Sequence, residues 1–351
     1  MGYNNEKASF NQISSIDKYL SSFKNDIKKL YKKSKNNMNI NSKDLKFKYI
    51  LKKPKTQKEM VSFDGGIGKL FEGEIYEIIV FKVAGDSEKE ESKLTFEENY
   101  FHLENGLLMW PKANETELKE VAKDIIRRFI KNPGISKTLK FLKIDRKEYA
   151  NSLLEFIVFK KGKNISDLIR ETLEWSLIVN FHEENKNKDY VIVKDGSIFP
   201  SKKQVTAPLS VAIEKYLKEN NIPLLGVVKS SRFVSSENSW SKVIREYAKI
   251  ENNPFIFKLP EEFSKTIDSH VEKPTYERFF ISILRGKNVL EIQVPIYLKK
   301  KEDIFDQLRS QISLNYGGSI VTNSYAHKKA SLAEREMKVL ERKIKGEINE
   351  N

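Results

Sequence analysis

The stretch VIVKDGSIFPSK, residues 191–202, ends a short apolar run on a carboxylate. Residues 191–193 are β-branched and typical of a buried strand, and Asp195 is followed by a Gly-Ser pair typical of a turn. One interpretation is a simple turn, because Asp bonds its own backbone and Gly tolerates positive φ. The other interpretation is that Asp195 belongs to a binding site, because α/β sheets bind their ligands at the carboxyl ends of the strands.

A second stretch has the same form. MVSFDGGIGKL, residues 60–70, places Asp64 after a short apolar run and before two glycines. This recurrence favours the interpretation that both aspartates belong to a binding site over the interpretation that they lie in two unrelated turns. We therefore predict that Asp64 and Asp195 both end strands and that their carboxylates meet at one edge of a sheet.

The bulk composition limits the chemistry of any site. The chain has 351 residues, enough for one large or two medium domains. Lys and Arg number 63 against 49 Asp and Glu, a formal net charge of +14. This surplus suits a polyanionic partner such as nucleic acid, although it also serves solubility. The absence of cysteine excludes disulfides and thiolate metal sites, so a metal would bind carboxylates, His, carbonyls or water.

No apolar run approaches the roughly 20 residues of a membrane span. The N-terminal segment MGYNNEKASF lacks the charged and then apolar form of a signal peptide. We expect a cytoplasmic protein without membrane contact.

The chain divides into three parts: a basic helical extension over 1–58, one domain over 59–331, and a charged helix over 332–351. Apolar periodicity predicts the elements of the domain. Strands are expected at 60–64, 73–85, 94–106, 153–162, 191–195, 222–231, 276–286 and 288–298, and helices at 115–131, 164–186, 207–221, 237–249 and 302–314.

Antiparallel strands, then a helix, then a β-α-β unit is the element order of an RNase H-like fold. We therefore predict an α/β protein, an RNase H-like mixed sheet flanked by helices, with N-terminal and C-terminal helical extensions. Such folds bind metal on converging carboxylates. Mg²⁺ and Mn²⁺ prefer oxygen ligands, and two such ions can activate a water and stabilise the leaving oxygen of a phosphodiester.

A third carboxylate is expected from the helix over 164–186, where Asp167, Glu171 and Glu174 are candidates. Glu174 lies at the edge of the apolar stripe that predicts the buried face, and Glu171 points more nearly outward. A solvated helical glutamate is the common alternative for each. The sequence leaves the choice between Glu171 and Glu174 open.

Four motifs in order resemble the NurA nucleases, which work with HerA-type hexameric DNA translocases. They are FDGG with Asp64, IRETLEWSL with Glu174 four residues after Arg170, VIVKDGSI with Asp195, and SYAHKKA, in which His327 is expected to open a helix. The segments LLGVVKSS and VLEIQVPIY lie between the third and fourth motifs and also match. The resemblance spans about residues 59–331.

The resemblance implies a nuclease that uses Mn²⁺, or Mg²⁺, and degrades DNA from 5′ ends. It implies a dimer that docks on a hexameric ATPase. It also implies that Asp64, Glu174, Asp195 and His327 are metal ligands and catalytic residues. Lys229 would neutralise charge in the transition state, or is a surface lysine that closes a strand. His327 would bind metal or transfer a proton to the leaving group.

The sequence also departs from the family pattern. Gly66 stands where the family often has Ser, and Gln293 stands where an acidic residue is common, with Glu291 two residues earlier. Tyr316 and Tyr325 are candidates for stacking on a displaced base, whereas Trp175 is expected in the core. Three alternatives stay open: an inactive DNA-binding clamp with the same fold, another RNase H-like nuclease, and, for the biological role, DNA end repair or antiviral defence.

Overall fold

The structure is a computed structural model. It describes residues 48–54, 58–72, 76–87, 107–111, 115–159, 165–199, 205–228, 254–258, 276–282, 289–299, 301–311 and 321–331, with a few positions beyond. Residues 1–47 of the predicted basic extension, the predicted helix over 237–249, the predicted strand over 94–106, and Lys229 and Tyr316 lie outside these residues. Among the residues described, no helix is long and apolar enough to cross a membrane.

In the part of the chain that the structure describes, nine strands form one mixed sheet. They are β1 (Lys48–Ile50), β2 (Glu59–Glu72), β3 (Tyr76–Ser87), β4 (Leu107–Pro111), β5 (Tyr190–Asp195), β6 (Leu224–Val228), β7 (Phe255–Lys258), β8 (Tyr276–Ser282) and β9 (Val289–Pro295). The order across the sheet is β1-β7-β8-β9-β6-β5-β2-β3-β4.

Half of this sheet has the predicted RNase H-like arrangement. Strands β2, β3 and β4 pair antiparallel, and β5 and β6 continue from β2 as parallel neighbours. The sheet then extends antiparallel through β9, β8, β7 and β1. The predicted hairpin of β8 and β9 is confirmed, with Tyr276 opposite Pro295 and Ser282 opposite Val289. The predicted α/β class with a mixed sheet is confirmed.

Helices cover the sheet. They are α1 (Glu115–Lys131), α2 (Pro133–Phe141), α3 (Arg146–Phe159), α4 (Ile165–Asn185), α5 (Ala207–Glu219), α6 (Lys301–Gln311) and α7 (Val321–Ala330). The helices predicted over 115–131, 164–186, 207–221 and 302–314 are confirmed to within a few residues.

The strand predicted over 153–162 is wrong, because its described part continues helix α3. The buried residues of α3 are Tyr149, Leu153 and Ile157. This spacing of four places all three on one helical face, which joins the apolar core. Burial of that face outweighs the preference of the local β-branched and aromatic residues for a strand.

The sheet separates two apolar cores. Val61 and Phe63 of β2 join the core under helices α1 to α5, and the Phe63 ring contacts Phe181 of α4 with centroids 5.2 Å apart. Met60 joins the opposite core, which includes residues of α6. The alternation follows from the two-residue period of a strand, so each residue of β2 can be assigned to one face.

Two expectations about element ends are wrong. Strand β2 does not end at Asp64 but continues to Glu72, because β3 pairs with it from Val61 to Glu72. His327 does not open a helix; it lies in the last turn of α7, which begins at Val321. The described positions 338–339 and 341–343, in the predicted C-terminal helix, are helical.

Candidate metal centre

Asp64 and His327 are in direct contact although 263 positions separate them in the chain. The Nδ1 atom of His327 lies 2.6 Å from Oδ2 of Asp64, and the backbone N–H of Gly65 donates to Oδ1 over 2.8 Å. Asp64 is almost fully buried, whereas the His327 side chain is 67% exposed. The histidine therefore connects a buried carboxylate to solvent.

Asp195 lies on the same face of the sheet as Asp64. Strands β2 and β5 are parallel, and Phe63 is the register partner of Lys194. The next residue along each strand is a candidate ligand, Asp64 in β2 and Asp195 in β5. Register partners in a parallel pair point to the same side, so both carboxylates face the side that α7 covers. Strand β5 ends at Asp195, as predicted.

Helix α7 reaches this face because Gly66 lacks a side chain. A β-carbon on Gly66 would clash with the carbonyl oxygen of Ala330, the last residue of α7. A salt bridge of 3.1 Å from Nζ of Lys329 to Oδ2 of Asp86 ties the same turn to β3. This close packing places His327 over Asp64.

Glu174 approaches the same strand from the opposite face. Its Oε1 atom would lie 2.6 Å from a β-carbon built on Gly65, so only glycine leaves room for this carboxylate. The Asp-Gly-Gly motif is therefore not a turn. Its two glycines admit α4 on one side of β2 and α7 on the other, immediately beside Asp64.

Two cations hold the Glu174 carboxylate. Arg170, one helical turn earlier, forms an ion pair with Oε1, and Nζ of Lys194 lies 3.2 Å from Oε2. Nζ of Lys194 is also 3.3 Å from Oε1 of Glu171. Lys194 is almost completely buried, so these two carboxylates supply the opposite charge that a buried ammonium requires.

Burial and the neighbouring charges shift the pKa values of Glu174 and Lys194. Burial raises the pKa of the Glu174 carboxyl, an effect that Lys194 opposes and Glu171 strengthens. Burial alone would lower the pKa of Lys194, but the attraction of Glu171 and Glu174 outweighs it and the pKa is raised. Lys194 thus stays charged and fixes the position of Glu174 against β2.

Glu171 does not point outward as expected. It is 5% exposed, and its Oε1 accepts a hydrogen bond of 3.0 Å from the indole N–H of Trp175. Trp175 is fully buried, which confirms its expected place in the core. The reason is that α4 is covered on nearly all sides, so the edge of its apolar stripe lies inside the protein.

The structure brings together some of the expected ligands. Asp64, Asp195 and His327 share one face, and Glu174 lies on the other face against Gly65. Across the described part of the chain, no group of three or more His, Asp or Glu side chains is close enough to hold an ion in this conformation. Tyr325 is partly buried two residues before His327.

Sequence reasoning missed Lys194 and Arg170 as the groups that hold Glu174. A lysine inside the apolar run VIVKD was the available signal, because a buried lysine needs a carboxylate partner. Arg170 had a signal in its spacing, four residues before Glu174 on a helix.

Comparisons with known proteins find similarity to the NurA family. The NurA domain family model matches residues 64–234, the segment that contains Asp64, Glu174 and Asp195. The fold is similar to the crystal structure of the NurA nuclease from Sulfolobus solfataricus, with a TM-score of 0.53 and 13% sequence identity, over 96% of this chain and 97% of that chain. No curated protein sequence matches the chain.

Two further NurA crystal structures align less closely. One is NurA with manganese, with a TM-score of 0.42 and 9% identity over 91% of this chain and 96% of that chain. The other is NurA bound to dAMP and manganese, with a TM-score of 0.39 and 12% identity over 94% of this chain and 95% of that chain.

Proposed function

We propose that the chain is a nuclease of the NurA family that hydrolyses DNA phosphodiester bonds with divalent cations bound by Asp64, Glu174, Asp195 and His327; the NurA domain family model over residues 64–234 and the similar fold support this. The observation that carries the proposal is the contact between Asp64 and His327 beside the end of the strand that bears Asp195.

The donor atoms suit Mn²⁺ or Mg²⁺. All four side chains offer carboxylate oxygen or imidazole nitrogen, and no thiolate exists anywhere in the chain. When bound, such a cation lowers the pKa of a water and neutralises charge on the leaving oxygen. Asp64 and Asp195 would hold it from adjacent strands. Glu174 is proposed as a ligand from the resemblance to the family, and its carboxylate would have to leave its place against Gly65 on the opposite face to reach the cation.

His327 has a second task in this proposal. With Asp64 ionised, Nδ1 of His327 must donate its proton to the carboxylate, so neutral His327 carries its lone pair on Nε2. The exposed ring presents Nε2 to solvent, where it can bind the cation or pass a proton to the leaving oxygen. The carboxylate–histidine contact fixes the tautomer, as in other metal sites.

Lys229 is proposed to neutralise charge on the scissile phosphate. It directly follows β6, whose residue Val227 is the register partner of Asp195. This neighbouring strand end supports the assignment.

The biological setting is proposed from the similarity to the NurA family. We propose that the protein degrades DNA from 5′ ends as a dimer, docked on a HerA-like hexameric ATPase in the cytoplasm. The net charge of +14 suits the DNA partner. DNA end processing in repair and antiviral defence are both compatible with this activity.

The direct test uses labelled linear and circular DNA with Mn²⁺, Mg²⁺ or EDTA. We expect cleavage with Mn²⁺ that EDTA abolishes, and release of nucleotides from a 5′ label before a 3′ label on linear DNA. The Asp64→Asn protein, purified in the same way, controls for a contaminating nuclease. DNA binding without cleavage under every condition would support the inactive clamp instead.

The partner is tested by co-expression with a HerA-type ATPase. Co-elution at a mass that fits a hexamer plus two copies of this chain, measured by light scattering, is the expected result. Separate elution of a monomeric chain would remove both the partner and the dimer from the proposal.

A further inference from the structure

A buried polar relay on β9 reaches the turn that follows Asp195. Glu291 and Gln293 are 1% and 5% exposed and point to the same side of the strand. Their neighbours Leu290, Ile292 and Val294 point into the apolar core on the other side. Two buried polar side chains in one strand need a structural reason, because each loses its hydration on folding.

Glu291 fixes the orientation of the Gln293 amide. Nε2 of Gln293 donates to Oε1 of Glu291 over 3.0 Å. The guanidinium of Arg278 forms an ion pair with the same oxygen, with Nε 3.7 Å away. Because Oε1 of Glu291 is the acceptor in this hydrogen bond, the amide turns its N–H₂ group toward Glu291 and its oxygen away.

That oxygen holds the turn after Asp195. Oε1 of Gln293 accepts from the hydroxyl of Ser197 over 3.2 Å and from the backbone N–H of Ile198 over 3.3 Å. The N–H of Gly196 donates to the carbonyl oxygen of Val227 over 2.8 Å. Residues 196–198 are thus bonded to both β6 and β9.

The turn also lies flat on β6. A β-carbon on Gly226 would fall 2.8 Å from both the carbonyl oxygen of Gly196 and the N–H nitrogen of Ile198. Gly226 is the register partner of Gln293, so the close approach and the hydrogen bonds occur at one place. Gly196 has a φ of +91°, which confines this turn geometry to glycine.

We propose that Glu291 and Gln293 are positioning residues that fix the carboxylate of Asp195 for the metal by clamping the turn behind it. This inference rests on the proposed function. Neither side chain touches the cation or the DNA. Loss of partners that orient a metal ligand typically costs about 10- to 100-fold in metal affinity. Loss of the hydrogen bonds from the turn to Gln293 is expected to lower Mn²⁺ affinity by a factor in this range.

The test exchanges the two side chains. Gln293→Glu keeps the acceptor for the turn but loses the donor to Glu291 and sets two carboxylates against each other. The double variant Glu291→Gln/Gln293→Glu restores one donor and one acceptor in reversed order. We expect weaker Mn²⁺ binding by about tenfold or more in Gln293→Glu and Gln293→Ala, measured by calorimetry, and recovery in the double variant.

Hydrogen exchange of the peptide that contains Ile198 measures directly whether its backbone N–H is still bonded to Gln293. Exchange at this amide should be faster in the two single variants and slow again in the double variant. Gln307→Ala is the matched control, since Gln307 is also a buried glutamine whose Oε1 accepts from a backbone N–H, that of Lys58, at the other end of the sheet. It should lose stability without a change in Mn²⁺ affinity.

The outcomes separate this inference from the function that it assumes. Faster exchange with unchanged Mn²⁺ affinity would overturn the inference and leave the nuclease proposal standing. Unchanged exchange would overturn it as well, because Gln293 would then not hold the turn. Absence of Mn²⁺ binding by the unmodified protein would overturn the proposed function, and the inference with it.

Discussion

The backbone of Gly66 packs against the carbonyl group of Ala330 with no room between them for a β-carbon. This contact joins the middle of β2 to the last turn of α7, two residues after Asp64 and three residues after His327, which form the neighbouring pair. On the other side of the strand, the missing β-carbon of Gly65 leaves room for the carboxylate of Glu174. Two adjacent glycines therefore let two helices approach Asp64 from opposite faces.

Gly66→Ala tests whether this approach builds the site. The added methyl group would push α7 away and separate His327 from Asp64, and overpacking of this kind typically costs about 1–3 kcal/mol of stability. We expect nuclease activity to fall more than the folded fraction does, measured by DNA cleavage and thermal unfolding. Gly346→Ala is the control, because no atom lies within 4 Å of a β-carbon there. Full activity of Gly66→Ala would contradict the close-packing argument.

Asp64→Asn and Asp195→Asn test the proposed ligands. The amide keeps the shape of the carboxylate but removes the charge that a divalent cation needs, so the rate should fall on the order of 10³-fold or more. DNA affinity, measured by fluorescence anisotropy, should survive. Asp189→Asn is a matched control near the start of β5, where the side chain is 71% exposed and pairs with Lys58. An Asp195→Asn protein with full activity in excess Mn²⁺ would exclude Asp195 as a ligand.

The choice between Glu174 and Glu171 is decided by the same substitution at both positions. Glu174→Gln should abolish cleavage and weaken Mn²⁺ binding if Glu174 is the ligand that the resemblance to the family implies; its carboxylate lies against Gly65, the residue after Asp64. Glu171→Gln should keep Mn²⁺ affinity, since the Oε1 of Glu171 accepts from the Trp175 indole besides contacting the Lys194 that it shares with Glu174. Both lose a buried charge, so activity is compared at equal folded fraction. The reverse result would transfer the ligand role to Glu171.

Lys194→Met tests the ion pair that holds Glu174. Removal of one partner of a buried pair leaves an unpaired charge and typically costs about 3–5 kcal/mol. Urea unfolding would measure this loss. Lys58→Met is the control, because its pair with Asp189 is partly exposed and such pairs contribute about 1 kcal/mol or less. Equal effects of the two substitutions would show that Lys194 is not held by a buried pair.

His182 predicts how stability depends on pH. Burial lowers the pKa of His182 below its ordinary value of 6.5, and its Nδ1 lies 2.6 Å from the hydroxyl of Tyr190. The unfolded chain therefore binds a proton more readily, so stability is present above pH 6.5 and is lost as pH falls toward the folded pKa. Urea unfolding between pH 7.5 and 5.5 should show this loss, and His182→Gln should reduce the slope. An unchanged slope would exclude His182 as its source.

Local sequence patterns predicted the element order and most helices. Helix α1 begins and ends where the periodicity of apolar residues places it, over 115–131. The apolar run before Asp195 predicted both the strand and its end. These features were accessible because hydrophobic period and strand ends are encoded within a few neighbouring residues.

Contacts between distant segments decided the rest. Strand β2 continues past Asp64 because β3 pairs with it through backbone hydrogen bonds. The local sequence of β2 does not indicate this partner. Helix α3 forms where a strand was expected because Tyr149, Leu153 and Ile157, spaced by four, all pack into the same apolar core. Glu171 is buried because other elements cover α4 on nearly every side.

The sequence by itself determined which residues can form the site, since the carboxylates after apolar runs and the Ala-His motif are local patterns. Tertiary structure alone decided that His327 meets Asp64, that Lys194 and Arg170 hold Glu174, and that the double glycine is a packing site and not a turn. The physical reason is that these are steric and electrostatic fits between surfaces far apart in the chain. Such fits exist only once the sheet and helices have packed together.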